Sequence, residues 1–200
     1  MKISKKIFRK KLKRVEFYFM DSIGYLKDNL NYVFFAAAVF LFGGIVGFAF
    51  SENFTFIDDI MKDLMMRIEG MGAFDLIVFI FQNNVKSAFF GLVLGLIFGI
   101  VPLFNALGNG VVLGYVLKSV WKITGLSEFW RLLPHGVFEL PAVFIALGLG
   151  IKLGFSIFLK KERGKIRKNL KKSLIAFVLI VVPLLVVAAI IEGLLVAFIK

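Results

Sequence analysis

Tyr32 to Phe50 is a run of 19 residues without a charged side chain, and long apolar runs recur from there to the C-terminus. Wound as a helix at about 1.5 Å per residue, such a run crosses the roughly 30 Å hydrocarbon core of a bilayer. Hydrophobic residues make up 60% of the chain, 25 of the 200 residues being Phe, against about 45–50% in soluble domains. A soluble chain this short has too little interior to hide that surface. Lipid is the only solvent in which this composition makes sense, and runs of this length read as membrane-spanning helices. The expected fold is all-α: a polytopic transmembrane helical bundle of about five spans, with short amphipathic interfacial helices.

The chain divides into a basic amphipathic segment over 1–31 and a transmembrane bundle over 32–200, with spans at about 32–50, 87–104, 110–121, 134–159 and 174–199. In the first segment Ile3, Ile7, Phe8, Leu12, Val15 and Phe19 recur at spacings of three to five between basic residues, the pattern of a helix lying on a membrane surface. Ser51 to Asp75 is acidic, and within it Ile57, Ile60, Met61, Leu64 and Ile68 share one helical face. Asp58 and Asp59 at its start and Gly70 after its end mark a short helix. Phe74 to Phe81 is apolar but too short to span alone. Pro102 and Asn105 are expected to end the second span, and Leu107-Gly-Asn-Gly to form a tight hairpin into the third. Pro183 predicts a kink in the last.

The formal charge is +12, but its placement argues against nucleic acid. Eight Lys or Arg fall in residues 1–14 and eight more between Lys160 and Lys172, each run beside an apolar stretch. Such runs set orientation and attract anionic lipid heads. Keeping both in the cytosol puts the N-terminus inside, the acidic segment outside and the C-terminus external, in the cell membrane. Cysteine is absent, which excludes disulfides, thiol nucleophiles and thiolate metal sites. No cleavable signal peptide is read at the N-terminus.

Small residues recur every fourth position: Ser87, Gly91, Gly95 and Gly99; Ala142, Ala146, Gly150 and Gly154; and shorter sets at Gly43 and Gly47, at Ala106, Gly110 and Gly114, and at Ala189, Gly193 and Ala197. Hydrophobic burial does not drive helices together in lipid, so close backbone approach along such faces must help. The stripes predict a tightly packed bundle and admit an oligomer.

Three ionisable residues lie within the apolar runs: His135, Glu139 and Glu192. Such groups are costly in lipid and normally face other helices. His135 and Glu139 are four apart, so they share a face, and that face continues into the Ala142–Gly154 stripe. Glu139 falls about 7 Å, and Glu192 about 12 Å, from the outer ends of their helices. Asn83 and Asn84 begin the second span on the same side, so all five residues can form one polar cluster in the outer half. The cluster could hold the bundle together, bind a divalent metal through His135, Glu139 and Glu192, or pass protons or a solute. No cofactor is otherwise implied. No hydrolase, zinc-protease or phosphate-loop motif supports an enzyme. Lys118 and Lys152 read as snorkelling toward an interface.

Leu132 to Ala142, Leu-Leu-Pro-His-Gly-Val-Phe-Glu-Leu-Pro-Ala, resembles the most characteristic stretch of the stage II sporulation protein M family of integral membrane proteins. Asn83-Asn84 before a Gly-rich span, Asn105 followed by Gly108 and Gly114, and Ala188-Ala-Ile-Ile-Glu192 also match. The resemblance runs from about Asn83 to the C-terminus, and the first 80 residues match in pattern alone. It implies a membrane component that recruits or anchors partners, cell-wall hydrolases in the member that names the family, and it implies Asn84, His135, Glu139 and Glu192 as the polar core. The reading is therefore a non-enzymatic scaffold with membrane or envelope protein partners, the alternative being a transporter or an ion-binding protein.

Overall fold

The computed structural model describes residues 2–125 and 133–198, with side chains from Lys13 to Gly125 and from Gly136 to Phe198. The described residues form helices and no strand. Five helical segments are long and apolar enough to cross a bilayer. Helix α1 (Lys2–Lys27) leads through a two-residue turn into α2 (Leu30–Ala49). The short amphipathic α3 (Phe56–Ile68) follows, with Asp58 and Asp59 in its first turn. Gly70 just beyond it has φ +77, a left-handed conformation open to glycine without steric cost.

Helix α4 (Ala73–Val93) corrects the expected second span of 87–104. The run from Phe74 to Phe81 is its first half, and Asn83-Asn84 lies inside it, about 15 Å from its start. The polar pair does not break the helix because both side chains reach a cavity shared with α6 and α9. The connection to α5 (Ile100–Thr124) is wholly apolar, a 3₁₀ turn at Leu94–Leu96 followed by Phe98 at φ 54 and Gly99 at φ 72. Pro102 therefore lies in the first turn of a helix, where its missing N–H has no partner to lose, and does not end one. The expected hairpin at Leu107-Gly-Asn-Gly is likewise replaced by continuous helix.

Helix α6 (Leu133–Phe155) is the central element. One side packs with α1, α4 and the last span around Leu92, Leu149, Leu153 and Leu185. The other meets α2 and α5 through Leu147, Ile151, Ala36 and Phe40. A single basic turn, α7 (Lys160–Arg163), precedes α8 (Ile166–Ala176) and α9 (Val182–Phe198), which run on through a π turn at Phe177–Val181. The helix that carries the last span thus begins at Ile166, about two turns before the apolar stretch that starts at 174. Pro183 cannot donate and its ring crowds the preceding turn, and the widened π turn just before it absorbs that conflict.

The small-residue stripes lie where helices touch. A Cβ at Gly43 or Gly47 would overlap the backbone of Leu107 or Val111 on α5, and one at Gly110 or Gly114 would overlap that of Phe40 or Gly44 on α2. Gly95 and Gly99 sit against Gly150 and Gly154 in the same way, and Gly91 lies under Leu147. The Gly95 and Gly99 pair belongs to the turn, although the sequence placed it within a span. Ala142 and Ala146 are fully buried in the core beside it.

Candidate functional site

Polar side chains gather at two levels. Toward the end that carries the acidic segment 51–75, Asn83 and Asn84 from α4, Glu139 from α6 and Glu192 from α9 line one cavity of about 130 Å³. Leu64 and Ile68 of α3 also line it, so the amphipathic helix turns its apolar face over the cavity and its charged face away. On that charged face Lys62 and Asp59, and Arg67 and Asp63, form exposed ion pairs. Helix α3 is anchored where Ile57 is fully buried. Four of the five residues expected to cluster are thus brought together by helices far apart in sequence. The fifth, His135, lies on α6, but its side chain falls outside the described residues. Glu139 and Glu192 are half-buried. Among the described residues, no group of three His, Cys, Asp or Glu is arranged to hold a metal.

The second cluster, at the basic end, was not anticipated. Lys152 is 8% exposed, and its ammonium donates to Tyr25 Oη at 2.8 Å while lying 4.2 Å from the centre of the ring. Tyr25 Oη in turn lies 3.2 Å from Ser173 Oγ and 3.3 Å from the carbonyl of Asn169. Asn169 Nδ2 donates to Glu162 at 3.0 Å, and Asn29 Nδ2 to the Tyr25 carbonyl at 2.6 Å. Lys172 pairs with Asp21 at 2.9 Å. Burial pushes the Tyr25 hydroxyl up to about 12, against the lowering effect of the Ser173 hydrogen bond and with a further rise from the Glu162 charge. Hydrogen bonds from Lys165 and Asn169 hold the Glu162 carboxyl below its ordinary range. Lys152, read from the sequence as snorkelling, is instead held buried in this network. Its signal was available as an isolated charge in a span; Tyr25 carried none, because it lies before the first apolar run. Lys118 sits 4.8 Å from the Phe48 ring and 5.2 Å from that of Trp121.

Helices of this length and hydropathy, with ionisable groups drawn between them, define a multi-pass integral membrane protein. The model of the family described as stage II sporulation protein M matches residues 36–196, and the chain belongs to that family. The match begins well before Asn83, so α2 and α3 are part of the family's common region. An uncharacterized protein of Methanocaldococcus jannaschii is 33% identical over 72% of this chain and 84% of its own. A second uncharacterized protein of the same organism is 26% identical over 82% of this chain and 81% of its own. No solved structure matches the chain.

Proposed function

We propose that this protein is a non-enzymatic scaffold that recruits or anchors partner proteins at the membrane, with its N-terminus in the cytosol and its acidic segment on the external side. The observation that carries the reading is the apolar surface beside α3. Met65 and Met66 are 68% and 67% exposed, and with Met71, Leu76 and Phe198 they line a groove of about 770 Å³ between α3 and the end of α9. Methionine-lined surfaces adapt to varied apolar partners. The positive-inside distribution supports the orientation, and membership of a family named for a recruiting protein agrees with the role. Affinity purification of the full chain from native membranes in mild detergent tests it. A specific partner enriched with wild type and lost with Met65→Gln/Met66→Gln is expected; a partner set indistinguishable from control membranes would overturn it.

The second reading, a transporter or ion-binding protein, is favoured by the cavity between Asn83, Asn84, Glu139 and Glu192. It predicts stoichiometric metal on elemental analysis, or a solute or proton flux in vesicles, either one lost in Glu192→Gln. A metal-free protein inert in flux assays removes this reading and leaves the first untouched.

A further inference from the structure

Lys86 lies thirteen residues into α4, about 20 Å from the start of that helix, and ten residues, about 15 Å, before the 3₁₀ turn closes at Leu96. A four-carbon stem does not carry its ammonium to an interface from that depth. Its side chain is exposed on the outside of the bundle and has no hydrogen-bond or ion-pair partner among the described residues. Other polar side chains surround it. Gln82 and Asn83, one turn away, are exposed as well. Ser87 Oγ accepts from Asn105 Nδ2 on α5 at 3.3 Å. Exposed Asn109 then donates to the carbonyl and side-chain oxygen of Asn105, at 2.8 and 3.0 Å. A polar belt therefore crosses the α4–α5 hairpin at mid-depth, and Phe90 and Phe104, nearer the turn, expose their rings beside it.

Lipid cannot satisfy such a belt. Ionisable residues at this depth face protein or water and pair with an opposite charge or a carbonyl, and interhelical hydrogen bonds are a recognised source of association in membranes. We infer that the α4–α5 face docks a transmembrane helix of a partner protein, one that carries a carboxylate near the middle of its span to meet Lys86 and is flanked by groups that bond the Gln82 and Asn109 amides. Charge decides between occupants. A second copy docked on the same face would bring two lysines to equal depth about a two-fold axis, and Glu139 and Glu192 are already committed to the cavity that they line with Asn83 and Asn84. The inference rests on the scaffold reading and names the chemistry by which that scaffold selects a membrane partner.

The test reconstitutes the full chain in phosphatidylcholine vesicles with a labelled Leu-rich peptide of about 20 residues, bearing Glu, Gln or Leu at its centre. The chain has no cysteine, so a single Glu52→Cys substitution carries the second fluorophore and association is read by energy transfer. The Glu peptide is expected to associate roughly tenfold more tightly than the Leu peptide. Lys86→Met should abolish that preference, whereas Lys86→Arg and the control Lys118→Met should keep it. Equal association of all three peptides, or a preference that survives Lys86→Met, overturns the inference. So does efficient disulfide dimer formation by Gln82→Cys in native membranes, which would show a second copy on this face. A partner recovered from native membranes by wild type and by Lys86→Met alike would leave the scaffold standing and remove this docking site.

Discussion

At the basic end of the bundle Lys152, Tyr25, Asn169 and Ser173 close on one another with short hydrogen bonds. At the acidic end Asn83, Asn84, Glu139 and Glu192 stand around about 130 Å³ of space. Both clusters hang on α6, which carries Glu139 and Lys152 thirteen positions, about 20 Å, apart. The closed cluster ties α1 and α8 to the bundle, and its members are spent on each other. The open one draws polar groups from three spans under the apolar face of α3 and keeps room between them. Polarity inside a membrane protein can therefore serve cohesion or contact with a ligand, and the space enclosed separates the two better than residue type does.

The largest expected effect removes what the two clusters share. Gly150 lies against the carbonyl of Gly91 and the Cα of Leu92, and backbone cannot rotate out of the way as a side chain can. Gly150→Val should cost about 3 kcal/mol or more by overpacking and should loosen both ends of α6 together. Thermal unfolding in detergent and loss of a monodisperse elution peak would register it. A variant as stable as wild type would mean that the α4–α6 seam does not set the height of the clusters.

Next comes the closed cluster alone. Tyr25→Phe leaves the Lys152 ammonium and the Ser173 hydroxyl buried without the oxygen that joined them, a loss of about 1–3 kcal/mol. In a Lys152→Met background, where the cation is gone, the same change should cost clearly less. If the two costs match, the Tyr25 hydroxyl is not serving Lys152.

A pH titration sharpens the same contrast with a smaller effect. Because the folded Tyr25 hydroxyl is raised from 10.0 to about 12, the fold favours its protonated form. That contribution is complete below pH 10, where neither state has ionised, and is lost as pH rises from 10 through about 12. The thermal midpoint of wild type should fall faster than that of Tyr25→Phe across this window; parallel curves would show the hydroxyl to be in ready contact with water.

What the sequence made legible follows the range of the interactions involved. Helix α3 was readable because its signals are local: Asp58 and Asp59 at the start, one apolar face, Gly70 after the end. The first span was readable because Leu30–Ala49 holds no charge. The α4–α5 hairpin was not, since Asn83-Asn84 looks like a boundary until α6 and α9 supply its surroundings, and the true turn at 94–99 has no polar residue to announce it. The shift left the number of candidate spans at five. The open cluster was assembled from helix faces and depths, which survive a register error of this size. The closed one depends on Tyr25, whose partners lie 127 and 148 residues away and leave no mark nearby.

The smallest expected effect on stability belongs to the open cluster. Glu192→Gln keeps the shape of the side chain while replacing its carboxyl with a neutral amide at a half-buried site, so the two ends of the molecule should part company. Where Tyr25→Phe destabilises, Glu192→Gln should move the unfolding free energy by less than about 0.5 kcal/mol, within the range of a substitution that leaves no cavity and no orphaned group. Any solute, proton or metal dependence should nevertheless disappear with it. A loss of stability comparable to that of Tyr25→Phe would make Glu192 a cohesive residue like Lys152. The cavity would then be a gap in the packing, and the apolar surface around α3 and the polar belt on α4 and α5 would be left as the proposed docking surfaces.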